Sequence, residues 1–141
     1  MAVPKVGAKP FDLSKLDTSE AAEKGAVLDI MHPSSNTSLG ITITLAGADS
    51  DVYRKVINKA ANKRVQRMKP GQSFIPFSAE EQEENALELL ASCTLAWSGV
   101  TVDGQELVCS KENAKALYRR FNWIKEQVDG FIGDRSNFLA G

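Results

Sequence analysis

Histidine is almost missing from this sequence: His32 is the only one in 141 residues. A serine or cysteine nucleophile depends on a neighbouring base, so any such triad would have to pass through His32. That residue sits beside Pro33 among turn formers, in no setting that would activate a nucleophile, and a solvated turn histidine is the simpler assignment. Cysteine is scarce as well. Cys93 and Cys109 lie sixteen positions apart and form no C-x-x-C pair, so the ligands of a zinc site are missing. Both read as free buried thiols. Residues 1–11 hold no continuous apolar block, so no secretory leader is expected, and a reducing cytoplasm fits unpaired thiols. Glycines are scattered singly, with neither G-x-x-x-x-G-K-[ST] nor G-x-G-x-x-G, which removes the usual phosphate cradles. No apolar run approaches the ~20 residues of a bilayer span. No catalytic, metal or cofactor-binding residue is therefore assigned, and the chain is not expected to be an enzyme.

What is present has the balance of an ordinary globular domain. Hydrophobic residues make up 43% of the sequence and charged residues 25%, with a net charge of −1. That is enough apolar content to close a core and too little net charge to hold the chain open. At this length a single domain burying roughly two-thirds of its unfolded surface is expected. The charges are unevenly placed. Seven basic residues and no acid fall from Arg54 to Lys69, and five acids and no base from Glu80 to Glu88. A basic block followed by an acidic one polarises the surface locally.

Residues 1–23 read as a flexible N-terminal arm with a short helical turn near 18–23, and residues 24–141 as a single α-rich domain. There the period is first two: Leu28 and Ile30, then Ile41, Ile43 and Leu45, alternate with their neighbours on either side of a polar turn. A β-hairpin over 26–45 follows. Asp49 or Ser50 caps a helix over 50–68, in which Tyr53, Val56, Ile57, Ala60, Arg64 and Met68 share one face. Pro70 and Gly71 stop it. Beyond a linker containing Phe74, Ile75 and Phe77, Ser78 and Glu81 make a capping box. Leu87, Leu90, Cys93, Thr94 and Trp97 then continue at helical spacing, so a helix is predicted over 79–97. Asp103-Gly104 is a two-residue turn signal. Ser110 caps a last helix over 111–132, with Ala114, Leu117, Tyr118, Phe121, Ile124, Val128 and Ile132 on one stripe. The fold class expected is mainly α (α+β), three or four helices with a small N-terminal β-hairpin.

Partner-binding residues follow from charge and exposed apolar surface. Lys55, Lys59 and Lys63 form one row on the basic helix, with Arg64 and Arg67 beside it, and the acids from Glu80 to Glu88 offer a complement for self-association. Phe74 and Phe77 are unusually apolar for a linker. Trp123 lies off the main stripe of its helix, whereas Trp97 is assigned to the core. Nucleic acid is not expected as a partner. The basic residues spread over more than one face, no Asn, Gln or Ser is assigned beside them to read base edges, and no helix-turn-helix or zinc pattern accompanies them.

The order of motifs carries further than any one of them. A strand runs into Ala46-Gly47-Ala48-Asp49-Ser50-Asp51-Val52-Tyr53 and a basic helix. Leu89-Leu90-Ala91 leads to Trp97-Ser98-Gly99-Val100, then Asp103-Gly104, then Ser110-Lys111-Glu112-Asn113-Ala114. The chain closes on Ile124-Lys125-Glu126-Gln127-Val128 and Asn137-Phe138-Leu139. This arrangement, over about residues 24–139, resembles the tail assembly chaperones of long-tailed, non-contractile (siphovirus-type) bacteriophages. Ala96 departs from it, since the family often has glycine before the tryptophan. The resemblance implies a non-enzymatic protein of the host cytoplasm, absent from the mature virion. It would bind the tape-measure protein, keep it soluble and help recruit tail-tube subunits, in some cases alongside a longer frameshifted product. The alternatives are a head–tail or tail-terminator component of the virion and a DNA-binding regulator.

Overall fold

The computed structural model describes residues 10–71 and 77–139. Helices α1 (Ser19–Lys24), α2 (Asp51–Gln66), α3 (Ala79–Ser92), α4 (Lys111–Arg120) and α5 (Asn122–Gly133) alternate with five strands. These are β1 (Ala26–Met31), β2 (Ser38–Leu45), β3 (Thr94–Ser98), β4 (Thr101–Val102) and β5 (Gln105–Glu106), and 3₁₀ turns lie at Leu13–Leu16 and Arg135–Phe138. The described residues are 53% helical and 18% strand, in two antiparallel sheets of three and two strands. This corrects the expected helical domain with a lone hairpin: the architecture is α+β, built around a three-stranded sheet.

The hairpin itself forms where the alternation places it, with Ala26 opposite Leu45 and Leu28 opposite Ile43. Ile30, Ile43 and Leu45 turn to one face and are fully buried, whereas Val27 on the other face is exposed. The buried face meets Leu87, Leu90 and Ala91 of α3, Leu117 and Tyr118 of α4, and Ile124, Val128 and Ile132 of α5. Each of the leucine, isoleucine and valine side chains contributes about 1.5–3 kcal/mol by leaving water, which makes this two-layer contact the main stabilising element. At the open edge of β1 the Gln127 amide stands in for another strand. It donates to the Met31 carbonyl and accepts from the Met31 N–H, both at 2.9 Å.

Two boundaries differ from those the periodicity predicts. The helix expected over 79–97 stops at Ser92, and Thr94–Ser98 pairs with the free edge of β2, Trp97 opposite Ile43. Apolar spacing in this stretch serves either structure. The unpaired N–H and C=O groups along β2 favour the strand, because leaving them unbonded beside the core is costly. Thr94 makes the change of direction. Its hydroxyl donates to the Leu90 carbonyl at 2.8 Å, closing the helix end, and meets the buried Tyr118 hydroxyl at 2.7 Å. The helix expected over 111–132 breaks at Phe121, whose backbone leaves helical geometry (φ −112°, ψ 80°). No proline or glycine stands there. The break lets Leu117 and Ile124 both face the sheet, and it is fastened by Arg120, which donates twice to Asp103 at 2.8 and 3.0 Å.

Of the arm read over 1–23, residues 1–9 lie outside the described residues. Its last turn belongs to α1, where Ala22 is buried and its carbonyl accepts from Gly47 at 3.0 Å. Asp49 ties three segments together, accepting from Thr18 and, at 2.8 and 3.0 Å, from Arg135.

Candidate protein-docking surface

Helix α2 opens on Ser50, whose hydroxyl accepts from the Tyr53 N–H. It runs sixteen residues without one fully buried side chain. Val52, Tyr53, Val56, Ala60, Arg64 and Met68 are half-buried against the rest of the domain, and Ile57 stays 46% exposed. A helix of this length with an apolar stripe ordinarily buries that stripe against the core. Here α3 covers it only in part.

The basic residues of the helix divide into two groups. Arg64 and the C-cap residue Arg67 lie over Phe77 at its C-terminal end. Their guanidinium carbons stand 4.5 and 5.5 Å from the centroid of the Phe77 ring, and Arg67 also donates to Glu81 at 2.6 and 3.3 Å. Those bonds hold the Glu81 carboxyl below its ordinary pKa. Phe77 is itself buried. Arg64, Arg67 and Phe77, expected as partner contacts, thus join α2 to the start of α3, while Phe74 lies outside the described residues. Lys55, Lys59 and Lys63 remain on the outer surface. Lys55 pairs with Asp51 of the preceding turn at 3.2 Å, and Lys59 and Lys63 have no carboxylate partner among the described residues.

Asn58, Asn62 and Gln66 interleave with these lysines and line the same shallow cleft of about 490 Å³. The expectation that no base-reading side chain accompanies the basic row is therefore corrected. The amides recur every four residues, as the lysines do, and that regularity was legible in the sequence.

Two of the remaining acids are engaged by α4. Glu84 accepts from Arg119 at 2.8 Å and pairs with Lys115, and Glu88 pairs with Lys111 and with Lys115. Glu84 is held below its ordinary pKa, first by the Lys115 bond. Burial alone would raise Glu88, but the Lys111 and Lys115 ammonium groups outweigh it and its pKa falls. Carboxylates at i, i+4 on α3 thus meet cations at i, i+4, i+8 on α4, two ladders the sequence displays without showing that they face each other. Glu80 and Glu83 are left without a cation among the described residues.

Between α2 and α3 lies a groove of about 380 Å³. Val56, Ile57, Ala60 and Leu89 give it apolar walls. Lys59 and Lys63 form one rim, and Glu84 and Glu88, already paired with α4, form the other. No family model, curated protein or solved structure matches this chain. The surface stands on its own chemistry: an apolar channel with Lys59 and Lys63, which have no carboxylate partner among the described residues, along one side.

The other sequence-derived positions lie elsewhere. Trp123 is half-buried, edge-on to Phe121 at 6.3 Å, and borders an apolar pocket of about 230 Å³ with Ile41, Ile43, Val100 and Leu117. Trp97, on β3, donates from its indole N–H to the Leu107 carbonyl at 2.8 Å. His32 shapes its turn by accepting from the Ser34 and Ser35 N–H groups at 3.0 and 3.2 Å. Burial pushes the Cys93 thiol up to about 12 and raises Cys109 as well, so neither is a thiolate at neutral pH. Among the described residues no cluster of His, Cys, Asp or Glu is arranged to hold a metal ion, and no helix is long and apolar enough to cross a membrane.

Proposed function

We propose that this chain is a tail assembly chaperone of a long-tailed, non-contractile bacteriophage. It binds the tape-measure protein, keeps it soluble in the host cytoplasm, helps recruit tail-tube subunits and is absent from the finished virion. The observation that carries this reading is α2: sixteen residues with an apolar stripe, none fully buried, beside a groove open along one side. An apolar helical client needs contacts of that kind, able to shield it from water yet weak enough to release it. The ordered motifs from Gly47 to Leu139 support the same reading from the sequence.

The test is co-expression with a tape-measure protein of the phage that encodes this chain. The soluble fraction of the tape measure is expected to rise several-fold when the chain is present, and the purified virions should contain none of it. Equal solubility with and without the chain removes the chaperone function. Stoichiometric copies in the virion would make it a structural component instead.

A further inference from the structure

We infer that the α2–α3 groove selects amphipathic helices whose apolar face is flanked by acidic residues, and that Lys59 and Lys63, with Lys55 beyond them, read that acidic flank. The inference rests on the chaperone reading and names the class of client segment that this surface accepts.

Across the groove Glu84 and Glu88 already accept from Lys111, Lys115 and Arg119, so the α3 rim presents carboxylates whose charge is largely compensated. On the α2 rim Lys59 and Lys63 have no such partner among the described residues. The groove is therefore electrostatically one-sided. A partner carrying acids along one flank gains from both lysines, while a basic partner meets them unscreened. Lys55, Lys59 and Lys63 repeat every four residues, a rise of about 6 Å per step, which matches carboxylates at the same interval on a helix laid alongside. Asn58, Asn62 and Gln66, in the adjoining cleft, add amide donors that the same carboxylates can accept from.

The apolar walls exclude the other polyanion. Phosphates of a nucleic acid gain nothing from Val56, Ile57, Ala60 and Leu89, and the facing rim presents Glu84 and Glu88 rather than further cations free of a partner. A second copy of this chain is also a poor occupant, because three of its five acids at 80–88 are engaged within their own fold.

The experiment uses two labelled peptides of about four helical turns. Both carry leucine at i, i+3, i+4 and i+7. One is flanked by glutamate and the other by lysine at the same positions. Anisotropy titrations of the full chain should show the acidic peptide binding about tenfold more tightly at low salt, a gap that narrows at high salt as the exposed charges are screened. The triple variant Lys55→Glu, Lys59→Glu, Lys63→Glu alters only exposed side chains, so it should fold as wild type does by circular dichroism. Its preference should invert toward the basic peptide. Ile57→Gln, also at an exposed position, should weaken both peptides without changing their ratio. Equal binding of the two peptides by wild type would overturn the inference, as would a triple variant with unchanged preference. Displacement of the acidic peptide by random duplex DNA at physiological salt would also overturn it.

Co-expression separates this inference from the reading beneath it. If the triple variant still solubilises the tape measure as well as wild type does, the groove is not the capture surface and the chaperone function stands. If wild type solubilises no tape measure yet discriminates between the peptides, the function falls and the groove's specificity stands.

Discussion

Gly99 shows how much a single position can constrain this fold. It leaves β3 with φ +78°, in the left-handed region, and a Cβ placed there would come within 2.4 Å of the Gly40 carbonyl oxygen. Both the backbone angle and the space demand glycine. Gly99→Ala should therefore destabilise the protein by about 1–3 kcal/mol, since the strained angle and the backbone clash cannot both relax. Urea denaturation is the measurement, and a variant as stable as wild type would mean that the bend at Gly99 moves freely away from β2. From the sequence, Gly99 was legible as a terminator. That it faces Gly40, across fifty-nine positions of chain, was not.

Among the elements, α2 differs most from its neighbours. Leu87, Leu90 and Ala91 anchor α3 in the core, whereas no residue of α2 is fully buried. A helix held by half-buried contacts can open without disturbing the sheet, so its amides should exchange from a local opening, not from global unfolding. Lys59 and Ala60 are expected to exchange faster than Leu90 and Ala91 by about two orders of magnitude or more, read by native-state hydrogen exchange. The acidic peptide should slow exchange in α2 while leaving α3 near its free value. Equal protection in the two helices would place α2 in the core unit. The other elements show where local signals mislead. Cys93, Thr94 and Trp97 fit a helical stripe as well as a strand, and Phe121 carries no helix breaker, so both corrected boundaries were hidden in a pattern that continued smoothly through them.

At the scale of the molecule, Asp49 joins the N-terminal turn, the loop before α2 and the C-terminal 3₁₀ turn. The Arg135 guanidinium and the Thr18 hydroxyl pull its carboxyl down to about 2, from an ordinary ~3.9. A folded-state pKa depressed in this way contributes stability that is complete above about pH 4 and is lost as pH falls through about 2. Wild type should therefore be more stable than Arg135→Ala at pH 6, by a small margin because Arg135 is largely exposed, and the two should converge near pH 2. Urea titrations at both values check this, and a margin that does not change with pH would mean the clasp works by packing alone.

The sequence by itself determined what depends on near neighbours. Alternation produced the hairpin at 26–45, Ser50, Ser78 and Ser110 cap their helices, and Asp103-Gly104 turns with both φ angles positive, as a two-residue loop requires. Only the tertiary structure decided what depends on distant partners. The third strand exists because β2 has a second edge to satisfy. Arg64 and Arg67 close over the buried Phe77 because α2 and α3 meet there. The acids at 84 and 88 are engaged because Arg119 and Lys115 reach them across thirty-five and twenty-seven positions. Charge counting along the chain gives a basic block facing an acidic one. Only the packing of α4 against α3 engages Glu84 and Glu88 and leaves Lys59 and Lys63 without a carboxylate partner among the described residues, because an ion pair depends on proximity in space and a sequence records proximity only along the chain.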